Sequence, residues 1–118
     1  MCLCEVIDLV DTYIDSARLF KALSDPTRLM IVDMLSCGEL CACVILEKFN
    51  FTQPTLSHHM KNLCESKLVV GRKDGKWIHY SLNDEMVKRL KAILDEVTTM
   101  KENCICNEQV CCEEVCCE

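Results

Sequence analysis

The chain contains 118 residues, a length typical of one domain, and it carries a net charge of −6 and twelve cysteines. No apolar run approaches the ~20 residues that span a bilayer, and the N-terminal segment lacks the basic region of a secretion signal. We therefore expect a cytoplasmic protein. Because the cytosol is reducing, its cysteines are expected to bind metal or to react, not to form a disulfide framework.

The negative charge is concentrated at the two ends of the chain. Residues 1–15 hold four acids and no Lys or Arg, and residues 101–118 hold five acids and one Lys. Residues 16–100 carry a charge of +2, and residues 53–80 hold five Lys or Arg against two acids. A mildly basic middle leaves phosphate binding open despite the acidic total.

Two helices are predicted before the first cysteine cluster. The first runs from Val6 to Leu23, because apolar residues recur there at spacings of three and four. These residues are Ile7, Val10, Ile14, Ala17, Phe20 and Leu23. The second runs to about Leu35 and starts after Asp25, whose carboxylate caps free backbone N–H groups while Pro26 takes the first helical position.

A helix-turn-helix is predicted next. A short helix spans roughly Glu39 to Lys48, and Thr52 caps another from Gln53 to about Glu65. The face of this fourth helix that carries Leu56, Met60 and Leu63 is apolar. Two short helices joined by a tight connection are typical of helix-turn-helix domains.

The period changes to two after Leu68, which predicts a β-hairpin. Asp74-Gly75 lies between the alternating runs and favours a type I′ turn. We expect Trp77 and Tyr80 to belong to the hairpin core. A last helix, capped by Asn83 or Asp84, extends to about Met100 with a repeating apolar face.

The sequence thus predicts one domain over residues 1–100 and an acidic, cysteine-rich tail over residues 101–118. The tail contains Cys104, Cys106, Cys111, Cys112, Cys116 and Cys117. Three interpretations stay open: a second metalloid site, a buffer that passes ions to a sensor, or an extension with little effect.

Four stretches carry a resemblance to a known family: "ALSDPTRLMIVDML", "GELCACVI", "TQPTLSHHMKNL" and "GRKDGKWIHYSL". Together they cover about residues 16–83, and the chain resembles the ArsR/SmtB metal-sensing repressors, particularly the arsenical-resistance repressors of that family. The resemblance implies a mainly α-helical winged helix-turn-helix fold with a two-stranded β-hairpin wing. It further implies a homodimer, formed by the first and last helices, that blocks a promoter until an inducer binds.

The fourth helix and the wing supply the candidate contacts to double-stranded operator DNA. The start and outer face of the helix present side chains suited to base edges, followed by one suited to a phosphate. These are Gln53, Thr55, Ser57 and His58, and then Lys61. In the wing, Arg72, Lys73 and Lys76 are placed to reach phosphate or a minor groove. The alternative is a merely solvated polar face.

Cys41 and Cys43 are the candidate inducer ligands, because thiolates select soft ions such as As(III), Sb(III), Cd(II) or Pb(II). The alternative is that they are small buried apolar residues. In a regular helix, residues two apart point about 200° apart. We therefore expect one ion to bind both sulfurs only if the first turn of this helix unwinds. Such a distortion would move the fourth helix, which is the recognition helix that contacts DNA.

The third ligand stays open. In the arsenical repressors a third cysteine follows the pair by three residues, and here that position is Leu46. Cys37 is the nearest substitute, and it favours As(III) in a three-sulfur site. Cys2 and Cys4 are the rival, because the resemblance to cadmium and lead sensors implies N-terminal thiols from the other subunit. His58, His59 and His79 are not expected to bind metal, and the last helix lacks the histidine of the family's zinc or nickel site.

The sequence predicts a metalloid-responsive repressor that binds an inverted-repeat operator as a dimer and is released by As(III) or Sb(III). The alternatives are a Cd(II)- or Pb(II)-sensing repressor that uses Cys2 and Cys4, a thiol-rich metal buffer, or a redox sensor. No catalytic constellation can be defended from residue spacing, so we do not expect an enzyme. No permanent cofactor is expected.

Overall fold

The structure is a computed structural model that describes the backbone of residues 3–100 and the side chains of residues 11–100. Within this range the chain is mainly helical, with a small antiparallel sheet. In chain order the elements are α1 Leu3–Leu23, α2 Pro26–Leu35, β1 Leu40–Cys41, α3 Ala42–Phe49, α4 Gln53–Glu65, β2 Val69–Asp74, β3 Trp77–Leu82 and α5 Asp84–Thr98. The predicted winged helix-turn-helix is confirmed. None of the helices described is both long and apolar enough to cross a membrane.

Side-chain caps fix where three helices begin. Asp25 Oδ1 accepts hydrogen bonds from the backbone N–H groups of Thr27 at 2.8 Å and Arg28 at 3.2 Å. Thr52 caps α4 and Asn83 caps α5 in the same way. These groups satisfy backbone donors that a helix start leaves without intrahelical partners. The predicted boundaries of α2 and α4 are confirmed, and Asn83 is the cap of the last helix.

One apolar core joins the helices to the sheet. It consists of Leu19, Ala22, Ile31, Leu35, Ile45, Leu56, Met60, Leu63, Leu68 and Val69. The recognition helix α4 contributes Leu56, Met60 and Leu63, the three residues that its periodicity predicted to be apolar-facing. Its opposite face therefore points to solvent.

The first helix buries a different face from the one that the apolar stripe predicts. Ser16, Leu19 and Ala22 are buried, whereas Ile14 is 45% exposed and Ala17 is exposed. Ile14 and Ala17 of this stripe are thus on the surface of a single chain, in the first of the two helices that are expected to form the dimer.

The sheet has three strands in the order β1-β3-β2, all antiparallel. The strand outside the predicted hairpin is β1, in which Leu40 lies opposite Tyr80 and Cys41 lies opposite His79. Because this pairing holds residues 40 and 41 extended, α3 starts at Ala42 and not at Glu39. The predicted two-stranded wing is present as β2 and β3, with β1 added at its edge.

The wing turn differs from the expected type. Gly75 has a φ of 63°, whereas its neighbour Lys76 does not have a positive φ. A positive φ at the first of two central residues is the pattern of a type II′ turn. Tyr80 packs against the core as expected, but Trp77 is 49% exposed. It lies at the wing tip, opposite Asp74.

Candidate metal centre and nucleic-acid interface

The two central cysteines meet at the junction of β1 and α3. Cys43 Sγ donates a hydrogen bond to Cys41 Sγ, and the two sulfurs are 3.0 Å apart. Cys43 is exposed and Cys41 is half-buried. Cys41 is the N-cap residue of α3, yet its side chain makes no capping hydrogen bond to the helix. Both sulfurs are therefore available to a soft ion arriving from solvent.

The expectation that Cys41 and Cys43 point to nearly opposite sides of a helix is wrong. Cys41 has an extended backbone, with φ −71° and ψ 144°, because it still belongs to β1. Only Cys43 lies in the helix. Strand geometry at one residue and helix geometry at the other bring the sulfurs together, so the chain need not unwind α3 to offer both to one ion.

The contact between the sulfurs affects their protonation. The hydrogen bond to Cys41 is the largest cause that raises the pKa of the Cys43 thiol, while backbone N–H groups at the helix start lower it. The Cys43 thiol therefore gives up its proton less readily beside Cys41 than an isolated thiol would. A thiophilic cation that binds both sulfurs displaces their protons.

The remaining described cysteines are not part of this pair. Cys37 is exposed in the loop between α2 and β1, and Cys64 is half-buried at the end of α4 against the core. Within the described part of the chain, no three His, Cys, Asp or Glu side chains are grouped as metal ligands. Cys37 thus stays a predicted ligand, outside the contact between Cys41 and Cys43. The side chains of Cys2 and Cys4 and the tail cysteines lie outside the described residues.

An ion pair links the start of β1 to the wing. Arg72 Nη2 donates to Glu39 Oε1 at 2.7 Å, and Arg72 Nε donates to Glu39 Oε2 at 3.4 Å. The hydrogen bond from Arg72 lowers the pKa of the Glu39 carboxyl. Cys41 and Arg72 both lie opposite His79, one on each side of β3. Directly paired residues share a face of an antiparallel sheet, so Cys41 and Arg72 belong to one cross-strand row.

Sequence reasoning did not identify Glu39 as a functional residue. Its partner Arg72 is 33 positions away, and only the three-stranded register brings them together. The sequence contained one usable signal, an acidic residue two positions before Cys41.

The outer face of α4 carries the predicted DNA-binding residues. All five are exposed, namely Gln53, Thr55, Ser57, His58 and Lys61. The Thr55 hydroxyl shares a hydrogen bond of 2.8 Å with the Thr52 hydroxyl. In the wing, the Lys76 ammonium lies 5.3 Å from the centre of the Trp77 ring, which is a cation–π arrangement at the tip. The structure therefore presents a polar helix face and a basic wing to solvent.

Aromatic contacts connect α3 to α4. Phe49, at the end of α3, stacks on Phe51 with ring centres 5.1 Å apart. Phe51 in turn lies 6.0 Å from the ring of His59 in the recognition helix. The Nδ1 atom of His59 is buried without a hydrogen-bond partner in the structure. The thiol pair at one end of α3 is therefore joined through that helix to the recognition helix at its other end.

Comparison with known proteins matches these features to one family. Residues 25–70 match the family described as bacterial regulatory protein, arsR family. An arsenical resistance operon repressor from Staphylococcus xylosus is 50% identical over 95 residues, which cover 80% of this chain and 91% of that protein. A homolog of the cadmium resistance transcriptional regulatory protein CadC from Staphylococcus aureus is 45% identical over 85 residues, 70% of each chain.

Solved structures agree with the fold. The homodimeric winged helix-turn-helix DNA-binding domain of Mb0332 from Mycobacterium bovis has a TM-score of 0.63 and is 31% identical. The similarity covers 75% of this chain and 82% of that one. With half of its residues identical over most of the length of a known member, this chain belongs to the arsR family of bacterial regulatory proteins.

Proposed function

We propose that this protein is a transcriptional repressor that binds an inverted-repeat operator as a dimer and is released by As(III) or Sb(III). The ion binds the thiolates of Cys41 and Cys43, with Cys37 as the third ligand. The observation that carries this proposal is the 3.0 Å contact between the two sulfurs at the start of α3. Soft thiolates side by side favour a soft, thiophilic ion over Mg²⁺ or Ca²⁺.

DNA binding is assigned to α4 and the wing. Gln53, Thr55, Ser57 and His58 read base edges in the major groove, because they form the exposed start of the recognition helix. Lys61 contacts a phosphate. At the wing, Arg72 and Lys76 contact the DNA backbone or the minor groove. Arg72 must first loosen its ion pair with Glu39, whereas Lys76 is held only against Trp77.

Dimerisation explains the apolar surface that a single chain leaves uncovered. Tyr13 and Ile14 on α1, and Leu94 and Val97 on α5, are each 38% to 52% exposed. Apolar side chains clustered on two neighbouring helices indicate an interface, and the related Mycobacterium bovis domain is homodimeric. A two-fold dimer predicts half-sites about one helical turn, ~34 Å, apart.

The thiol pair is connected to both DNA-binding elements. One route runs from Cys41 through the strand pairs to Arg72 in the wing. The other runs from Cys43 along α3 to Phe49, Phe51 and the recognition helix. An ion that shifts the β1–α3 junction displaces both together. A coupling free energy of ~1–3 kcal/mol weakens operator binding about 5–150-fold.

A Cd(II)- or Pb(II)-sensing repressor is the second candidate. The similarity to a cadmium resistance regulator favours it, as does the absence of a three-ligand group among the described residues. In that case the N-terminal Cys2 and Cys4 complete the site with Cys41 and Cys43. The two candidates differ in the ion that releases DNA and in the cysteines that are required.

The test is an anisotropy titration of the reduced protein on labelled inverted-repeat DNA at fixed salt. As(III), Sb(III), Cd(II), Pb(II) and Zn(II) are added in turn. We expect As(III) or Sb(III) to release the DNA from the natural chain and not from Cys41→Ser/Cys43→Ser. The matched control is Cys64→Ala, at a half-buried cysteine outside the pair, which should keep the response.

Two further variants separate the candidates. If the response to As(III) is lost in Cys37→Ser and kept in Cys2→Ser/Cys4→Ser, the three-sulfur site holds. If Cd(II) or Pb(II) alone releases the DNA and Cys2→Ser/Cys4→Ser abolishes this release, the protein is a cadmium or lead sensor and not an As(III) sensor with a three-sulfur site. Release by As(III) from Cys41→Ser/Cys43→Ser would refute both.

A further inference from the structure

The thiol pair is arranged for a second chemistry that requires no metal. The sulfurs of Cys41 and Cys43 are 3.0 Å apart, and a disulfide needs a separation of about 2.05 Å. The remaining ~1 Å can be closed by side-chain rotation, since Cys41 makes no capping hydrogen bond that holds its sulfur to the helix. The two residues also belong to different elements, a strand end and a helix start, which lets their side chains converge.

Access to the pair is unequal. Cys43 is exposed, and Cys41 beside it is half-buried. A reagent from solvent therefore meets Cys43 first, while Cys41 lies within reach of whatever forms there. An exposed thiol in contact with a second thiol supplies both the attacking and the resolving sulfur of a thiol–disulfide exchange.

We propose that Cys43 and Cys41 form a thiol–disulfide exchange site for small-molecule disulfides, and that its product is an internal Cys41–Cys43 disulfide that no longer binds the inducer. The second part of this inference rests on the proposed function. The first part concerns the reactivity of the pair alone.

The reaction balances in two exchanges. The Cys43 sulfur attacks one sulfur of a disulfide RSSR, forms a mixed disulfide and expels RS⁻. The Cys41 sulfur then attacks the Cys43 sulfur, breaks the mixed disulfide and expels the second RS⁻. Each expelled group takes the proton that one cysteine loses. The pair gives up two electrons and two protons, and RSSR is reduced to two RSH.

The consequence is a sensor that oxidation disables. A disulfide offers no thiolate, so the oxidised pair cannot hold As(III). The repressor then stays on its operator in the presence of the inducer until a small thiol reverses the exchange. Cys64 provides an internal comparison, because it is half-buried against the core and is not in contact with the pair.

The test is anaerobic treatment of the reduced full chain with glutathione disulfide, followed by alkylation, trypsin digestion and mass spectrometry. Cleavage after Arg28 and Lys48 places Cys37, Cys41 and Cys43 on one peptide. We expect this peptide to lose two hydrogens and to carry one alkyl group, on Cys37. In Cys41→Ser the second exchange is blocked, and the glutathione adduct on Cys43 should accumulate.

Two results would overturn the proposal: three alkylated cysteines in the peptide while the tail cysteines are oxidised, or a disulfide that includes Cys37. Release of DNA by As(III) is measured in parallel on the reduced and the oxidised chain. If the reduced chain does not respond, the proposed function fails and the mass result still decides the exchange chemistry. If the oxidised chain responds like the reduced one, the claimed loss of inducer binding is wrong.

Discussion

The substitution Glu39→Gln tests whether the ion pair at the start of β1 restrains the wing. In the structure the Glu39 carboxylate accepts two hydrogen bonds from Arg72, at 2.7 and 3.4 Å. Because Arg72 lowers the pKa of this carboxyl, Glu39 keeps its negative charge throughout the neutral range. Glutamine removes the negative charge and leaves the Arg72 guanidinium available to a DNA phosphate.

The expected increase in the salt dependence of DNA binding follows from counterion release. Each phosphate neutralised changes the slope of log K against log salt by about −0.9, so two additional contacts per dimer change it by up to ~−1.8. Over a fourfold rise in salt this corresponds to a roughly 12-fold greater loss of affinity. The assay is anisotropy on operator DNA at several salt concentrations. An unchanged slope, or weaker binding at low salt, would refute the reasoning.

A matched control separates the ion pair from the charge. Glu47→Gln removes the same charge from an exposed position on α3. Glu47 is not the carboxylate that holds Arg72, so its substitution should leave the salt slope close to that of the natural chain. Equal steepening in both variants would mean that general electrostatics, and not the release of Arg72, causes the effect.

Three further predictions follow from single residues. Hydrogen bonds from backbone N–H groups, that of Arg28 foremost, lower the pKa of Asp25 from its ordinary value of 3.8. The ionised carboxylate therefore stabilises the fold above pH 3.8, and this stabilisation is lost as the pH falls through the lowered pKa of the folded state. Asp25→Asn should accordingly reduce the pH dependence of the melting temperature between about pH 5 and 2. Gly75→Ala should weaken DNA binding in anisotropy assays but leave As(III) stoichiometry unchanged, because the φ of 63° is strained by about 1 kcal/mol in an L-residue. Ile45→Ala should cost about 2–5 kcal/mol in chemical unfolding, since Ile45 is 0% exposed, whereas Val44→Ala, at 43% exposure, should cost far less.

Local sequence signals predict most of the helical scaffold. Asp25 and Thr52 act as caps because their side-chain oxygens reach backbone donors two or three residues ahead, an interaction that depends only on local sequence. The apolar spacing in α4 likewise identifies its buried residues, such as Met60 and Leu63. These features are encoded within one or two helical turns.

The geometry of the candidate site depends on pairing that sequence reasoning did not detect. A strand of two residues is too short to show the alternation of polar and apolar residues that identifies a β-strand, so the sequence predicts a helix at Cys41. That error reversed the expected direction of its sulfur relative to Cys43. The ion pair between Glu39 and Arg72 was missed for the same reason, because it forms only when β1 joins the wing.

The exposed faces show a second limit of the sequence pattern. Periodicity identified an apolar stripe on α1, but it could not tell whether Ile14 packs within the chain or against another molecule. Trp77 at the wing tip is a similar case, since alternation along a strand does not show where the supporting helices end. In both cases the missing information is the position of neighbouring elements.

The most direct test of the central claim measures the linkage between inducer and operator. The affinity of the reduced dimer for operator DNA is determined with and without As(III), and its affinity for As(III) is determined with and without DNA. For the natural chain both ratios should be equal and lie between about 5 and 150, and neither effect should exist in Cys41→Ser/Cys43→Ser. Operator affinity that As(III) leaves unchanged, or a full response in the double variant, would contradict the account.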